Sequence, residues 1–117
     1  DIIESNKRRH SSLTIEYGDR SFEVNQMQPV ITMGRDPTNH VVIDDPKVSR
    51  IHARIEKRRY KFFLVDQSTN GTFLLLNNGE TTMLRREEAG LTSPGRLALG
   101  EPVSSSSTHT IMFHKKD

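Results

Sequence analysis

The stretch Ile51-His52-Ala53-Arg54-Ile55-Glu56-Lys57-Arg58-Arg59-Tyr60-Lys61-Phe62-Phe63-Leu64-Val65 carries the pattern that decides the fold. In its first part Ile51, Ala53 and Ile55 alternate with His52, Arg54 and Glu56. A period of two is the signature of a strand with one buried face. Its last part is nearly continuous in apolar residues, which predicts a strand buried on both faces. The charged residues between them carry the chain from one strand to the next. Asp66-Gln67-Ser68-Thr69-Asn70-Gly71 follows as a polar loop, with Asn-Gly as a strong turn dipeptide. Thr72-Phe73-Leu74-Leu75-Leu76 then reads as another strand.

The same alternation extends outward in both directions. Leu13, Ile15 and Tyr17 share a face, Gly18-Asp19 turns, and Phe22-Glu23-Val24 resumes, which predicts a hairpin. Val30-Ile31-Thr32-Met33 is a β-branched run ending at Gly34, and Val41-Val42-Ile43 is a short strand after the turn residues Asp36-Pro37-Thr38-Asn39. Toward the C-terminus come Thr81 to Leu84, Arg96 to Leu99 and Thr108 to Phe113. Leu84 to Gly90 is expected to make one helical turn, stopped by Gly90 in a left-handed conformation. About ten short strands separated by turn signals predict an antiparallel β-sandwich or barrel. One domain over 12–117 is expected, with the charged residues 1–11 as a tail or linker.

Composition narrows the function. The 117 residues contain no cysteine, so disulfides and thiolate metal sites are excluded. No apolar run approaches the roughly 18–20 residues of a membrane helix. No membrane partner is expected, and a reducing, cytoplasmic location fits. The chain starts at Asp1, which suggests a piece of something longer. The net charge is +2, with basic clusters at 7–9, 57–59, 85–86 and 115–116, which permits anionic partners. Seven aromatic residues, five Phe and two Tyr, are too few for a face that stacks nucleobases, so no nucleic-acid partner is expected.

Candidate chemistry is confined to three loops. Arg35 follows Gly34 at a strand end and offers a planar fork of donors suited to phosphate or carboxylate. Ser49-Arg50 adds a hydroxyl and a second guanidinium, and Thr69-Asn70 adds a hydroxyl and an amide. Each alone also reads as a surface ion pair or as turn chemistry. Ser49 and His52 lie three apart, on opposite faces of any strand, so they do not form a nucleophile–base pair. A histidine that donates to loop backbone and fixes the Ser49 loop is the better reading. His10, His40, His52, His109 and His114 show no paired ligand spacing, and no metal or cofactor is expected.

In order, Gly34-Arg35, Ser49-Arg50-Ile51-His52, Ser68-Thr69-Asn70-Gly71-Thr72 and Leu97-Ala98-Leu99-Gly100 resemble the motifs of the forkhead-associated (FHA) domain. The resemblance spans about residues 13–113. It implies an eleven-strand β-sandwich with binding loops at one end, and non-enzymatic recognition of phosphothreonine in a protein or peptide, in cis or in trans. By motif, Arg35 and Ser49 would grip the phosphate, Arg50 and Thr69 would supply further donors, and Asn70 would hold the peptide main chain. Gly34, His52 and Gly71 would be architectural. Lys47, two residues before the motif serine, would select the side chain three after the phosphothreonine, with a mild acidic preference.

The segment from Leu74 to Ser93 is longer than the hairpin common in that family. Leu84-Arg85-Arg86-Glu87-Glu88-Ala89-Gly90-Leu91 is similar to FHA domains attached to bacterial nucleotide cyclases and related signalling proteins. The alternative this raises is a phospho-independent domain of the same fold that docks on, and regulates, an attached catalytic domain, or forms a dimer.

Overall fold

A computed structural model describes residues 11–106 and 109–116. It contains eleven strands: β1 (Ser12–Tyr17), β2 (Arg20–Val24), β3 (Val30–Gly34), β4 (Val41–Val42), β5 (Ala53–Arg58), β6 (Lys61–Asp66), β7 (Thr72–Leu76), β8 (Thr81–Leu84), β9 (Glu88–Gly90), β10 (Gly95–Leu99) and β11 (Ile111–Lys116). There is no helix among the described residues, so none is long and apolar enough to cross a membrane.

The strands form two sheets, ordered β2-β1-β11-β10-β7-β8 and β4-β3-β5-β6-β9. Inward-facing side chains from both sheets make one core, in which Leu13, Ile15, Ile55, Leu64, Leu97 and Ile111 are fully buried with Phe62 and Phe113. This is the sandwich that the alternating pattern predicts. Among the described residues pairing is antiparallel except between β3 and β4, which run parallel with Met33 opposite Val41 and Gly34 opposite Val42. The chain leaves Gly34, folds back through residues 35–40, and re-enters in the same direction at the sheet edge.

Several local expectations are corrected. Ile51 is 51% exposed whereas His52 and Ala53 are both buried, so the alternation begins only at Ala53. Residues 51 and 52 precede β5, so strand parity does not govern which of them is buried. Phe62 and Leu64 are buried but Phe63 and Val65 are only half covered. Their side of β6 faces outward, and the Arg58 guanidinium lies 4.3 Å from the Phe63 ring centroid. Residues 84–90 form no helical turn. Arg86 has φ 56°, which breaks any right-handed turn, and Glu88 to Gly90 pairs with Val65 to Phe63 as an edge strand. Gly90 is therefore a strand residue and not a left-handed stop. The last strand runs from Ile111 to Lys116, later than predicted. The proposed tail lies outside the described residues except for Ser11, which is buried.

Alternation fixes which strand ends meet. The C-terminal ends of β3, β6 and β10 and the N-terminal ends of β5, β7 and β11 lie at one end of the sandwich. The loops that join them carry every candidate residue named above.

Candidate phosphate-binding loops

Gly34 ends β3 at the point where two loops touch. A Cβ there would lie 2.2 Å from the Arg50 carbonyl oxygen and 2.8 Å from Asn39 Nδ2. Glycine is needed for this approach of backbone to backbone. It lets Arg35 N–H donate to Ser49 O at 3.0 Å and Asp36 N–H donate to Arg50 O at 3.1 Å. Asn39, a turn residue by sequence, is buried and acts as a clamp. Its Nδ2 donates to Asp36 O at 2.9 Å and to Arg50 O at 2.8 Å. Arg35 Nε donates to Val48 O at 3.1 Å, which aims the rest of the exposed guanidinium outward. Among the described residues neither Arg35 nor Arg50 is held in an ion pair. Both line an open cleft of about 350 Å³ with Pro37, Val42 and the acids Asp36 and Asp44.

His52 is fully buried and joins two of the loops. Ser49 N–H donates to its Nδ1 at 3.0 Å, and its Nε2 lies 2.8 Å from Gly71 O. An accepting Nδ1 carries no proton, so Nε2–H donates to Gly71 O and the ring is one neutral tautomer. Burial pushes its pKa below the ordinary histidine value, against the pull of the Gly71 carbonyl and the Asp66 charge. The ring thus accepts from the backbone of the Ser49 loop and donates to the backbone of the Gly71 loop.

Gly71 sits at φ 92°, the left-handed region, with its missing Cβ aimed 2.8 Å from Met83 Sδ. On the other side of the same loop, Thr69 N–H donates to Ser49 Oγ at 3.2 Å. The Ser49 hydroxyl hydrogen remains available to a ligand. Thr69 and Asn70 are exposed. Asn70 Nδ2 donates to Lys47 O at 3.0 Å, so the amide ties the Asn70 loop to the loop before Ser49.

Sequence reasoning assigned no role to the group beneath this loop. Asp66 is buried and accepts four hydrogen bonds. Oδ1 takes those of the Ser68 hydroxyl at 2.7 Å and the Thr72 hydroxyl at 2.6 Å. Oδ2 takes those of Ser68 N–H at 3.0 Å and Arg86 N–H at 2.8 Å. Burial alone would raise its pKa, but the Thr72, Arg86 and Ser68 donors outweigh this and hold it below the ordinary carboxylate value. Ser68 Oγ in turn accepts Gly71 N–H at 2.7 Å. The spacing Asp-x-Ser was a visible signal for such a turn.

Lys47 is half exposed, with Nζ 3.5 Å from both Asp45 Oδ1 and Glu101 Oε2. Asp45 and then Glu101 raise its pKa above the ordinary lysine value. Arg35, Ser49, Arg50, Thr69 and Asn70 therefore converge at one end, with Lys47 alongside and Gly34, His52 and Gly71 beneath. Among the described residues no three His, Asp or Glu side chains are grouped to hold a metal ion.

The FHA domain family model matches residues 31–100. A comparison with curated proteins found no match. Among solved structures, the chain is similar to FHA-1 of Mycobacterium tuberculosis Rv1747, with TM-score 0.70 and 19% identity over 92% of this chain and 99% of that one. It is similar to the MEK1 FHA domain in complex with a HOP1 phosphothreonine peptide, with TM-score 0.66 and 20% identity over 90% and 97% of the two chains. It is also similar to the FhaA FHA domain complexed with the intracellular domain of Rv3910, with TM-score 0.60 and 24% identity over 89% and 99%. At these identities the likeness is one of fold.

Proposed function

Because this chain belongs to the FHA domain family, whose model spans residues 31–100, we propose that it is a phosphothreonine-dependent protein-binding module. FHA domains are binding modules and not enzymes. The observation that carries the reading is the set of outward donors left over once the loops have bonded one another: the Arg35 guanidinium beyond Nε, the Ser49 hydroxyl, Arg50 and the Thr69 hydroxyl. A phosphothreonine brings close to two negative charges and three strong acceptor oxygens. A guanidinium fork with two hydroxyls and a second guanidinium supplies donors enough for all three. In this reading Arg35 and Ser49 hold the phosphate, and Arg50 and Thr69 add donors. Asn70 has a carbonyl oxygen and a second amide hydrogen left for a peptide main chain.

Lys47 is the specificity residue in this reading, but Asp45 and Glu101 already share its charge, so its preference for an acidic peptide side chain is slight. A finer part of the proposal places the module in a bacterial signalling protein with an attached catalytic domain, such as a nucleotide cyclase. Residues 84–91 support it by sequence resemblance only. The cyclase activity of the full-length protein, with and without phosphopeptide, would test it.

Calorimetric titration with a degenerate phosphothreonine peptide library, beside unphosphorylated and phosphoserine versions, tests the main reading. Binding confined to phosphothreonine supports it. Equal binding of the unphosphorylated library would replace it with a phospho-independent interface.

A further inference from the structure

The end of the sandwich opposite the phosphate loops has a character that no stretch of sequence displays. Strand β5 spans six residues from the loop end to Arg58, which separates the two ends by about 20 Å. At this far end the β5–β6 turn, Arg59-Tyr60, meets the C-terminal end of β11. Lys57 Nζ lies 5.5 Å and Lys115 Nζ 6.0 Å from the same Phe62 ring centroid. Burial, and then the charge of Lys115, lowers the Lys57 pKa. Arg59, Lys61, Lys115 and Lys116 are all exposed, and among the described residues none of the four is held by an acid in an ion pair. Arg58 differs, since Glu56 and Glu88 hold it. Glu80 lies at this end too, but on the β7–β8 turn, separated from β11 by β10.

Two large apolar side chains stand out from the same end. Met27, on the β2–β3 turn, is 93% exposed, and Tyr60 is 40% exposed. Their turns are adjacent, since Lys57 N–H donates to Pro29 O at 2.8 Å.

We propose that this end is a docking surface for an anionic membrane. The chemistry favours that occupant. The surface is built of turn tips and a strand end. A bilayer with anionic headgroups presents a plane of negative charge with an apolar layer just beneath it. Arg59, Lys61, Lys115 and Lys116 match the plane, and Met27 and Tyr60 are placed to enter the layer. A nucleic acid would match the charge but leave Met27 without an apolar partner. The lack of a spanning segment, on which the expectation of no membrane partner rested, does not bear on a surface contact. The proposal is independent of the phosphothreonine reading.

Co-sedimentation of the whole 117-residue chain with vesicles tests it, using phosphatidylcholine alone and phosphatidylcholine mixed with phosphatidylglycerol. Binding to the mixed vesicles only, falling steeply with added salt, is expected. Each basic residue near such a surface strengthens binding about fivefold, so Lys61→Glu with Lys116→Glu should weaken it about thirtyfold or more. Met27→Ser with Tyr60→Ser should weaken binding while keeping its salt dependence. Arg35→Ala should leave it unchanged. Circular dichroism confirms that each variant is folded. The proposal is overturned by absence of binding to mixed vesicles at low salt, or by undiminished binding of the folded charge-reversal variant. It is equally overturned by loss of binding in Arg35→Ala, or by tighter binding of duplex DNA or polyglutamate than of vesicles.

Discussion

Replacing Gly34 with alanine puts a methyl group 2.2 Å from the Arg50 carbonyl oxygen. Carbon and oxygen in contact need about 1 Å more than that. The neighbour is backbone, so no rotamer change relieves the overlap, and residues 49–50 must move outward. Three hydrogen bonds lie along that line: Arg35 N–H to Ser49 O, Asp36 N–H to Arg50 O, and Asn39 Nδ2 to Arg50 O. At about 1 kcal/mol each, their loss destabilises the domain by roughly 2–4 kcal/mol. The movement also carries Ser49 and Arg50 off their positions. Losing one charge-assisted bond to the phosphate weakens phosphothreonine binding by about tenfold or more, even when every molecule is folded. Urea denaturation gives the first quantity, and calorimetry well below the melting temperature gives the second. Gly90→Ala is the control. The nearest atom to its Cβ would be Phe63 Cε1 at 3.8 Å, an ordinary contact, so both quantities should stay close to those of the unmodified domain. A Gly34→Ala domain with unchanged stability and affinity would refute the claim that this contact sets the loop geometry.

Arg35→Ala should lower phosphothreonine-peptide affinity by about tenfold to a hundredfold or more in calorimetry, with little change in melting temperature, since the guanidinium is exposed; retained affinity would move the site elsewhere. Stability should fall in acid in two stages. His52 has a folded pKa below its ordinary 6.5, so the unfolded chain binds the proton first and stability declines as pH drops below that value. Asp66, held below its ordinary 3.8, contributes stability that is present above that value and lost as pH falls through the folded pKa. Denaturation midpoints measured across pH should show both stages, and a folded His52→Asn variant should lack the first. Glu101→Gln releases one of the two acids at Lys47, and a peptide library should then shift toward acidic side chains by no more than about fivefold. An unaltered library profile would remove Lys47 from the peptide contact.

The strand pattern was legible because burial alternates with side-chain direction, and the core residues Leu13, Ile15 and Ile55 occupy the phases that the sequence predicts. It failed where hydrogen bonds overruled hydropathy. Ile51 is apolar and exposed while His52 is polar and buried, because the imidazole is bonded at both nitrogens and leaves no unpaired group to desolvate. Residues 84–90 looked helical in composition. The left-handed turn at Arg86 depends on a carboxylate twenty residues earlier in the chain, and no local window contains both. The loop residues could be named from their types and order. Their mutual bonds could not be, such as Asn70 to the Lys47 carbonyl, since these depend on which strand ends become neighbours.

The ties among the loops have a consequence in time. Bonds within the chain hold Ser49 to His52, Thr69 to Ser49 and Asn70 to the Lys47 carbonyl, while Asn39 clamps Arg50 and Asp66 clamps Ser68 beside them. An incoming peptide then meets a surface that has no slow ordering step to complete, and its capture rate is set by collision and by long-range attraction. Substitutions among the outward donors should leave that rate nearly constant and shorten the lifetime of the complex. Substitutions beneath the loops should also slow capture, because the loops would then visit the receptive arrangement for only part of the time.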